Sequence, residues 1–303
     1  RKNMKHLNNI LIVLAAAIMV LLTACDNNFE EQVYKGPSYV MFADTLNICP
    51  VFQEDSIYRV MLSATQPADY DRTYGVEILQ DRSNAIEGYH YTVASNTVTI
   101  PAGKLSTAVE IKGIYNNIEN GDSLNIRMRI VSVEPVEWDY YGLETNVRLQ
   151  KVCPFSIDNY TGYAIVQSTF LQAFKQSASD QQRLITTSRV EGDSNSIILH
   201  DLMSDGFDVQ VTFDNSDPLT PRASMHTGDI IGTTQEFLNA TYRDNILRVQ
   251  DYPGITSTFL PCEDVAVFYH IVYVKDEGNV GLYGTVLKWI SDEEAEDIIK
   301  NGF

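Results

Sequence analysis

Basic residues are scarce in this sequence. Its 303 residues include 22 lysines and arginines against 40 aspartates and glutamates, so the formal net charge at pH 7 is −18. A chain this acidic repels the phosphates of nucleic acids and the headgroups of anionic lipids. The composition therefore argues against nucleic-acid binding and against electrostatic attachment to a membrane. It favours a soluble chain, with cation binding as a weaker alternative.

Cysteine is scarce too. Cys25, Cys49, Cys153 and Cys262 are the four present, and no CxxC pair or His/Cys spacing indicates zinc. If the chain is exported, one disulfide is expected among the last three, because exported proteins fold under oxidising conditions. Three cysteines cannot all pair within one chain, and the sequence leaves the pairing of Cys49, Cys153 and Cys262 open.

Catalytic motifs are lacking. The chain has no Gly-x-Ser-x-Gly, no His-Glu-x-x-His and no phosphate-binding loop. His270 lies in an apolar run and is expected to be a hydrogen-bonded core residue. His200-Asp201 and His226 stand near strand ends and could meet in space, but we do not expect them to form a metal site. The sequence therefore predicts that the protein is not an enzyme, that it has no catalytic residues and that it needs no cofactor.

One long apolar run is present, at residues 10–22, and it leads into Leu22-Thr23-Ala24-Cys25. Thirteen residues are too few to span a bilayer comfortably, but they suit a signal peptide over residues 1–24 that starts at Met4. The Leu-Thr-Ala-Cys segment resembles the lipobox of bacterial lipoproteins. That resemblance implies acylation of Cys25 with chains such as palmitate and attachment to a membrane by this lipid. Removal of residues 1–24 takes away three basic residues, so the mature charge becomes 19 − 40 = −21.

Residues 25–36 are polar and aperiodic, which predicts a flexible tether. The acidic residues that follow Cys25 resemble the surface-export signal of lipoproteins from gut Gram-negative anaerobes. This resemblance implies that the protein is lipid-anchored in the outer membrane and faces the medium. The alternative is that it is anchored on the periplasmic face of that membrane.

Short strand-like segments dominate the rest of the chain, so the predicted fold class is all-β. In the first half we expect strands at residues 39–43, 57–64, 74–79, 97–100, 108–114, 124–131 and 146–152. Clusters of Gly, Pro, Asn and Asp separate them at intervals of about ten residues, which is typical of an antiparallel sandwich. Leu124 to Ile130 alternates cleanly and predicts that Arg127 and Arg129 point outward.

Residues 37–152 resemble Calx-beta domains and the immunoglobulin-like N-terminal domains of lipoproteins from glycan-uptake loci. The residues that carry this resemblance are Ala85 to Tyr91, Asn96 to Gly103 and Val109 to Ile111. The resemblance implies a β-sandwich. Some members bind calcium through acids at the end of the sandwich, and here Asp69, Asp71 and Glu87 are the candidates. His90 stands where the family pattern has Asp, which puts calcium in doubt.

The second predicted domain covers residues 153–303, after the Cys153-Pro154 boundary. We expect strands at residues 160–167, 183–190, 196–199, 208–213, 245–249, 265–274 and 281–290. The strand at 265–274 is apolar on both faces and should be central. This half resembles the lipocalin-like C-terminal domains of the same lipoproteins, which implies an antiparallel barrel, with a sandwich as the alternative. Residues 291–299 predict a short acidic helix with Ser291 as its N-cap.

The loop at residues 137–142 is the strongest candidate for ligand binding. Trp138, Tyr140 and Tyr141 flank Asp139 between two predicted strands, where small polar residues are usual. Exposed aromatic rings stack on sugar rings, and a neighbouring acid accepts hydroxyl hydrogen bonds. These four residues therefore predict a glycan-binding platform; packing of the rings at the domain end or against the second domain is the alternative. Tyr70 and Tyr74 form a weaker candidate of the same kind.

Together these features predict a non-catalytic, membrane-anchored surface lipoprotein that assists glycan capture or uptake beside outer-membrane uptake proteins. A fimbria-associated or adhesive structural subunit is the first alternative, and it predicts an open groove or a removable first strand for strand donation. A hydrolase of unknown type is the second, and it predicts a cleft with two converging acids.

Overall fold

We analysed the fold in a computed structural model, which describes residue 36, residues 38–131 and residues 142–303. Cys25, most of the predicted tether and the residues Trp138, Asp139, Tyr140 and Tyr141 lie outside the described residues. Within the described residues, no helix is both long and apolar enough to cross a membrane.

The fold is all-β, as predicted, and begins with a two-layered sandwich. Its nine strands are β1 (Val40–Phe42), β2 (Leu46–Phe52), β3 (Tyr58–Ala64), β4 (Arg72–Ile78), β5 (Tyr91–Val93), β6 (Thr97–Ile100), β7 (Ser106–Gly113), β8 (Leu124–Val131) and β9 (Glu144–Val152). One sheet has the order β1-β3-β7-β5 and the other β2-β9-β8-β4-β6. Between them lies an aliphatic core to which Leu62 and Ile111 contribute from the first sheet and Ile126 and Val147 from the second.

Side-chain alternation explains these strands. In β8 every second residue from Leu124 to Ile130 is buried, and Arg127 and Arg129 point outward, as predicted. Arg127 pairs with Glu144 and Arg129 with Glu77. In the turn before β5, the Nδ1 atom of His90 accepts a hydrogen bond from the Ile86 N–H at 2.9 Å.

The second region is one antiparallel sheet of ten strands. These are β10 (Gly162–Ser168), β11 (Gln182–Arg189), β12 (Ser196–Leu199), β13 (Val209–Asp214), β14 (Arg222–Met225), β15 (Ile230–Thr233), β16 (Ile246–Asp251), β17 (Thr258–Leu260), β18 (Val265–Val274) and β19 (Gly278–Ile290). The main path runs β14-β13-β12-β11-β10-β19-β18-β16-β15, and β17 also pairs with β18. As predicted, β18 is central.

This sheet curls until its two sides meet. At the seam, the Ala223 N–H of β14 donates to the Ser257 carbonyl at 3.0 Å, and the Met225 N–H donates to Asp251 Oδ1 at 2.9 Å. The resulting barrel is filled by its own side chains, including a cluster of contacting aromatic rings. The cluster comprises Phe155, Tyr160, Phe213, Phe259 and Trp289.

Three short helices complete the second region, α1 (Thr169–Phe174), α2 (Thr234–Leu238) and α3 (Asp292–Asn301). The helix α3 is the predicted acidic helix, and the Oγ atom of Ser291 caps it by accepting the Glu294 N–H at 3.2 Å. Four 3-10 turns lie at Gln80–Arg82, Tyr115–Asn117, Ile157–Tyr160 and Ala178–Gln181.

Candidate functional site

The two flanks of the predicted glycan platform lie at one end of the sandwich. Val131 ends β8 and Gly142 precedes β9, and the Phe42 N–H donates to the Gly142 carbonyl at 2.6 Å. Gly142 has φ +83°, and a Cβ atom there would lie 2.5 Å from Cβ of Met41, so the position requires glycine. Tyr70 at this end is 62% exposed, whereas Tyr74 packs against the sandwich core.

The same end receives the N-terminal segment. The Gly36 carbonyl accepts from the Gln66 side chain at 2.6 Å, and Arg72 Nη1 reaches Ser38 Oγ at 3.4 Å. The opposite end of the β8–β9 hairpin leads through Val152 into the second region. We call these two ends the tether end and the junction end. They are roughly 30 Å apart, since β9 has nine residues at about 3.3 Å each.

The acids proposed for calcium do not converge. Asp71 lies just before β4, at the tether end, where its Oδ1 atom accepts the Ala102 N–H at 2.8 Å. Glu87 lies beyond the other end of β4, next to Tyr91. No group of three metal-ligating side chains occurs within the part of the chain that the structure describes. The partial acidic cluster suggested by the sequence is therefore not formed.

A hydrogen-bonded Ser-His-Asp chain lies on the outer face of the barrel. His200 Nε2 lies 2.8 Å from Ser188 Oγ, and His200 Nδ1 lies 2.9 Å from Asp208 Oδ2. These distances match a catalytic triad. However, Ser188 sits within the regular strand β11, opposite Ile198 of β12, and not on the sharp strand-to-helix turn that exposes a nucleophile. On the barrel surface, the three side chains link β11 to the segment that joins β12 and β13.

The other two histidines divide between surface and core. His226 Nδ1 pairs with Asp229 Oδ1 at 2.6 Å, apart from the His200 network. His270 is fully buried inside the barrel, but neither of its ring nitrogens has a hydrogen-bond partner among the described residues. The prediction of a core histidine is confirmed, whereas neither ring nitrogen makes a hydrogen bond of ordinary geometry with a described residue; the backbone of Phe268 lies near enough to oppose in part the effect of burial on the pKa of the ring. Burial lowers the pKa of His270 from 6.5 to about 4, so the ring is neutral at pH 7.

A disulfide joins the two regions. Cys153, directly after β9, pairs with Cys262 in the turn between β17 and β18, 109 residues away. Cys49 is free and buried in the sandwich, where desolvation raises the pKa of its thiol to about 12. Nearby, the Asn120 side chain donates to the Cys262 carbonyl at 2.6 Å. The contact between the regions is thus fixed at the junction end.

Beside this disulfide lies a cleft of about 740 Å³ between the two regions. Its floor is the outer face of β9, with Arg148 and Gln150. Its walls are the sandwich loop at residues 119–122 and the barrel segments at residues 218–222 and 256–263. We refer to it as the interdomain cleft.

The interdomain cleft is balanced in charge, although the chain is strongly acidic. Three carboxylates and three cations line it, namely Glu119, Asp122, Glu263, Arg148, Lys151 and Arg222. The Lys151 ammonium donates to the Ile118 carbonyl at 2.8 Å and lies over the Tyr115 ring. Asp122 Oδ2 accepts the Glu119 N–H at 2.9 Å.

Sequence reasoning missed this cleft because its walls lie about 70 to 140 residues apart along the chain. The one available signal was the pairing of cysteines, since a Cys153–Cys262 bond would have placed β9 beside the turn after β17. The sequence left that pairing open.

The groove expected for a strand-exchanging subunit is occupied. Beside β9, where a donated strand would pair, β2 runs parallel over seven residue pairs, from Leu46 opposite Asn146 to Phe52 opposite Val152. Removal of β2 would extract the buried side chains of Cys49 and Val51 from the core. Within the described sandwich, β2 thus fills the position beside β9 where a donated strand would pair.

A family model matches residues 140–301, and its description is "Domain of unknown function (DUF4984)". The chain belongs to this family. The match includes β9, the second region and every residue of the interdomain cleft except those of the loop at 119–122. No curated protein matches the sequence.

Several solved structures are similar at low identity. A candidate carbohydrate binding protein from Bacteroides ovatus is 10% identical, with 62% of this chain and 66% of that one covered at a TM-score of 0.31. An auxiliary nutrient binding protein from Bacteroides thetaiotaomicron is 13% identical, with 81% and 91% covered at a TM-score of 0.29. CBD12 from CALX1.2 is 11% identical, with 56% and 80% covered at 0.33. The fold assignment rests on the strand pairing of this chain itself.

Proposed function

We propose that this protein is a non-catalytic, lipid-anchored surface protein that binds glycan in the interdomain cleft and so assists its capture or uptake. The observation that carries the proposal is the cleft, which two β-regions form and a disulfide holds. Its volume of about 740 Å³ lies within the range of about 300–1,000 Å³ that is usual for ligand sites.

The chemistry of the cleft suits a polyhydroxylated ligand. Sugar hydroxyls both donate and accept hydrogen bonds, and the cleft offers carboxylate acceptors in Glu119, Asp122 and Glu263. Arg148 and Gln150 on the floor supply donors. A site that two folded regions hold in place loses little freedom when a flexible oligosaccharide binds, which favours affinity.

The proposed anchor would place this cleft away from the membrane. Acylated Cys25 and the tether at residues 25–36 lead to the tether end of the sandwich, whereas the cleft lies at the junction end. About 30 Å of sandwich then separates the lipid attachment from the ligand site. Together with the charge of −21 expected for the mature chain, this geometry supports binding of a ligand from the medium.

Catalysis is not part of the proposal. The Ser188–His200–Asp208 network lacks the strand-to-helix nucleophile turn of α/β-hydrolases, and it lies outside the cleft. The cleft acids are accompanied by an equal number of cations. Binding without turnover is therefore the function that the site supports best.

Affinity gel electrophoresis and isothermal titration of the mature chain against plant, host and microbial polysaccharides test the proposed function. We expect slowed migration with at least one polysaccharide and no release of reducing ends. If no polysaccharide binds, the proposed function is wrong, and if reducing ends appear, the protein is a hydrolase.

Metabolic labelling with an alkyne palmitate analogue tests the anchor. When the full-length precursor is expressed, we expect the membrane fraction to contain labelled protein. The label should be lost in Cys25→Ser and kept in the matched control, Cys49→Ser. Digestion of intact cells with protease then separates the cell surface from the periplasmic face. A soluble product that carries no label would contradict the anchor.

A further inference from the structure

Most of the described arginines bind an acceptor within the protein, but two do not. The described residues contain eleven arginines, and nine of them bind a carboxylate, a carbonyl or a hydroxyl within the protein. These nine are Arg59, Arg72, Arg82, Arg127, Arg129, Arg183, Arg189, Arg243 and Arg248. Among the described arginines, Arg148 and Arg222 alone have no hydrogen bond and no ion pair within 4 Å, and both line the interdomain cleft.

The two arginines come from different regions, Arg148 from the sandwich floor of the cleft and Arg222 from its barrel wall. Arg148 is exposed in the middle of β9, where its neighbours on the adjacent strands are Asn125 of β8 and Ile48 of β2. Arg222 begins β14, opposite Asp214 of β13, and is exposed as well. Asp214 and Asp217 lie close enough to feel its charge but bind nearby backbone and hydroxyl groups instead.

The unpaired state of these two side chains needs a reason in so acidic a chain. Carboxylates outnumber cations by 40 to 22, so an arginine on this surface ordinarily finds a partner. A guanidinium presents its N–H donors in a planar fork that matches a carboxylate, and such bonds are stronger than those between neutral groups. The guanidinium groups of Arg148 and Arg222, which have no partner within the described protein, therefore provide two sites in one cleft for carboxylates of a ligand.

We propose that the interdomain cleft binds uronic-acid-bearing glycans, with the sugar carboxylates on Arg148 and Arg222 and sugar hydroxyls on the cleft acids. This inference rests on the proposed function and narrows its ligand class. The acids Glu119, Asp122 and Glu263 limit the site to sparse negative charge, because a densely charged polyanion would meet them too. A polymer with at most one carboxylate per sugar fits this balance better than a heavily sulfated one.

Matched pairs of polysaccharides test the ligand class. The probes are polygalacturonate, alginate and hyaluronate, each compared with its own carboxyl-reduced form, in which the carboxylate has become a neutral CH₂OH group. We expect the mature chain to bind at least one uronate polymer, and the reduced form of that polymer at least about tenfold more weakly. Binding should also weaken as NaCl is raised, because salt screens the ion pairs.

Variants locate the binding site. Arg148→Gln and Arg222→Gln should each weaken binding of the same uronate polymer by about tenfold or more. Arg59→Gln is the matched control, because it removes the same charge from an exposed arginine of the sandwich that already pairs with Glu110. Equal melting temperatures would show that the three variants fold alike.

The outcomes separate this inference from the proposed function. Binding of neutral polysaccharides, or equal binding of a uronate polymer and its reduced form, would overturn the uronate inference and leave glycan binding in place. Uronate binding that survives both arginine substitutions, or that falls equally with Arg59→Gln, would overturn the assignment to the cleft. Binding of no polysaccharide at all would overturn the proposed function itself.

Discussion

The sandwich and the barrel have cores of different chemistry. The buried core of the sandwich contains two aromatic residues, Phe42 and Tyr91. Its other members are Val, Ile, Leu, Met and Ala residues and Cys49. The barrel cluster contains Tyr160, Phe170, Phe213, Phe237, Phe259, Phe268 and Trp289. Two antiparallel regions of one chain have therefore filled their interiors in different ways.

Geometry accounts for this difference. Two packed sheets stand about 10 Å apart, a gap that aliphatic side chains from both faces fill by interdigitation. A curled sheet of ten strands encloses a wider interior, which needs larger side chains from all around it. Because rings fill that space, the barrel interior is occupied by its own side chains, and the site that we propose for the ligand lies between the two regions.

The largest effect is expected for truncation of the barrel core. Phe259→Ala removes a fully buried ring whose centroid lies 5.1 Å from those of both Phe155 and Phe213. We expect a loss of about 3–5 kcal/mol in the free energy of unfolding, measured by urea denaturation. Leu260→Ala, at the next and exposed position, is the control and should change little. Equal effects of the two variants would show that the barrel interior is not packed as described.

His270 should make the barrel sensitive to acid. Its folded pKa is about 4 against 6.5 in the unfolded chain, so between these pH values only the unfolded chain takes up the proton. Stability is therefore full above about pH 6.5, falls as the pH is lowered, and has lost about 3 kcal/mol near pH 4. Burial raises the pKa of Asp251 and of Asp264, which acts in the opposite direction.

Comparison with His270→Leu isolates this contribution. The variant should lose the slope between pH 6.5 and 4, and at pH 7 it should be as stable as the original or more so, because no unbonded ring nitrogen is buried. His226→Gln is the control, since His226 is largely exposed. An unchanged slope in His270→Leu would contradict the buried neutral histidine.

Loss of the Cys153–Cys262 disulfide should have a somewhat smaller effect on stability. Cys153→Ser with Cys262→Ser is expected to cost about 2–4 kcal/mol in unfolding free energy, since the bond closes a long loop. The same change should weaken glycan binding, because the cleft walls lose their fixed position. Cys49→Ser, which removes the free buried thiol, serves as the comparison for binding and should leave it unchanged.

The smallest effect is expected for trimming the aliphatic core. Ile111→Val deletes one buried methylene group in β7 and should cost about 0.5–1.5 kcal/mol, measured by the same urea denaturation. If Ile111→Val lowered the free energy of unfolding as much as Phe259→Ala does, the aromatic packing of the barrel core would contribute no more to stability than the aliphatic packing of the sandwich core.

Regular side-chain patterns were predictable from the sequence. The alternation in β8 and the two-sided apolar run of β18 identified these strands, and Ser291 with the acids after it identified the helix α3. Each of these patterns involves residues that are close in sequence, so it can be recognised without knowledge of the tertiary fold.

Elements whose form depends on distant partners were missed. Pro50 interrupts the sequence pattern of β2, so the strand was not predicted. The strand forms because β2 is an edge strand that pairs only with β9, and an edge strand tolerates a residue without a backbone N–H. The strands β14 and β17 have four and three residues, and they are held by the closure of the barrel. The interdomain cleft depends on the same long-range contacts, which explains why no sequence pattern marked it.

Amide hydrogen exchange of the mature chain, with and without the polysaccharide that binds it most tightly, tests the central claim most directly. We predict slower exchange at residues 118–122, 147–152, 218–222 and 256–263, which form the interdomain cleft. Protection confined to the tether end, at residues 70–74 and 132–142, with unchanged exchange in the cleft, would contradict the account and favour the aromatic platform around Trp138.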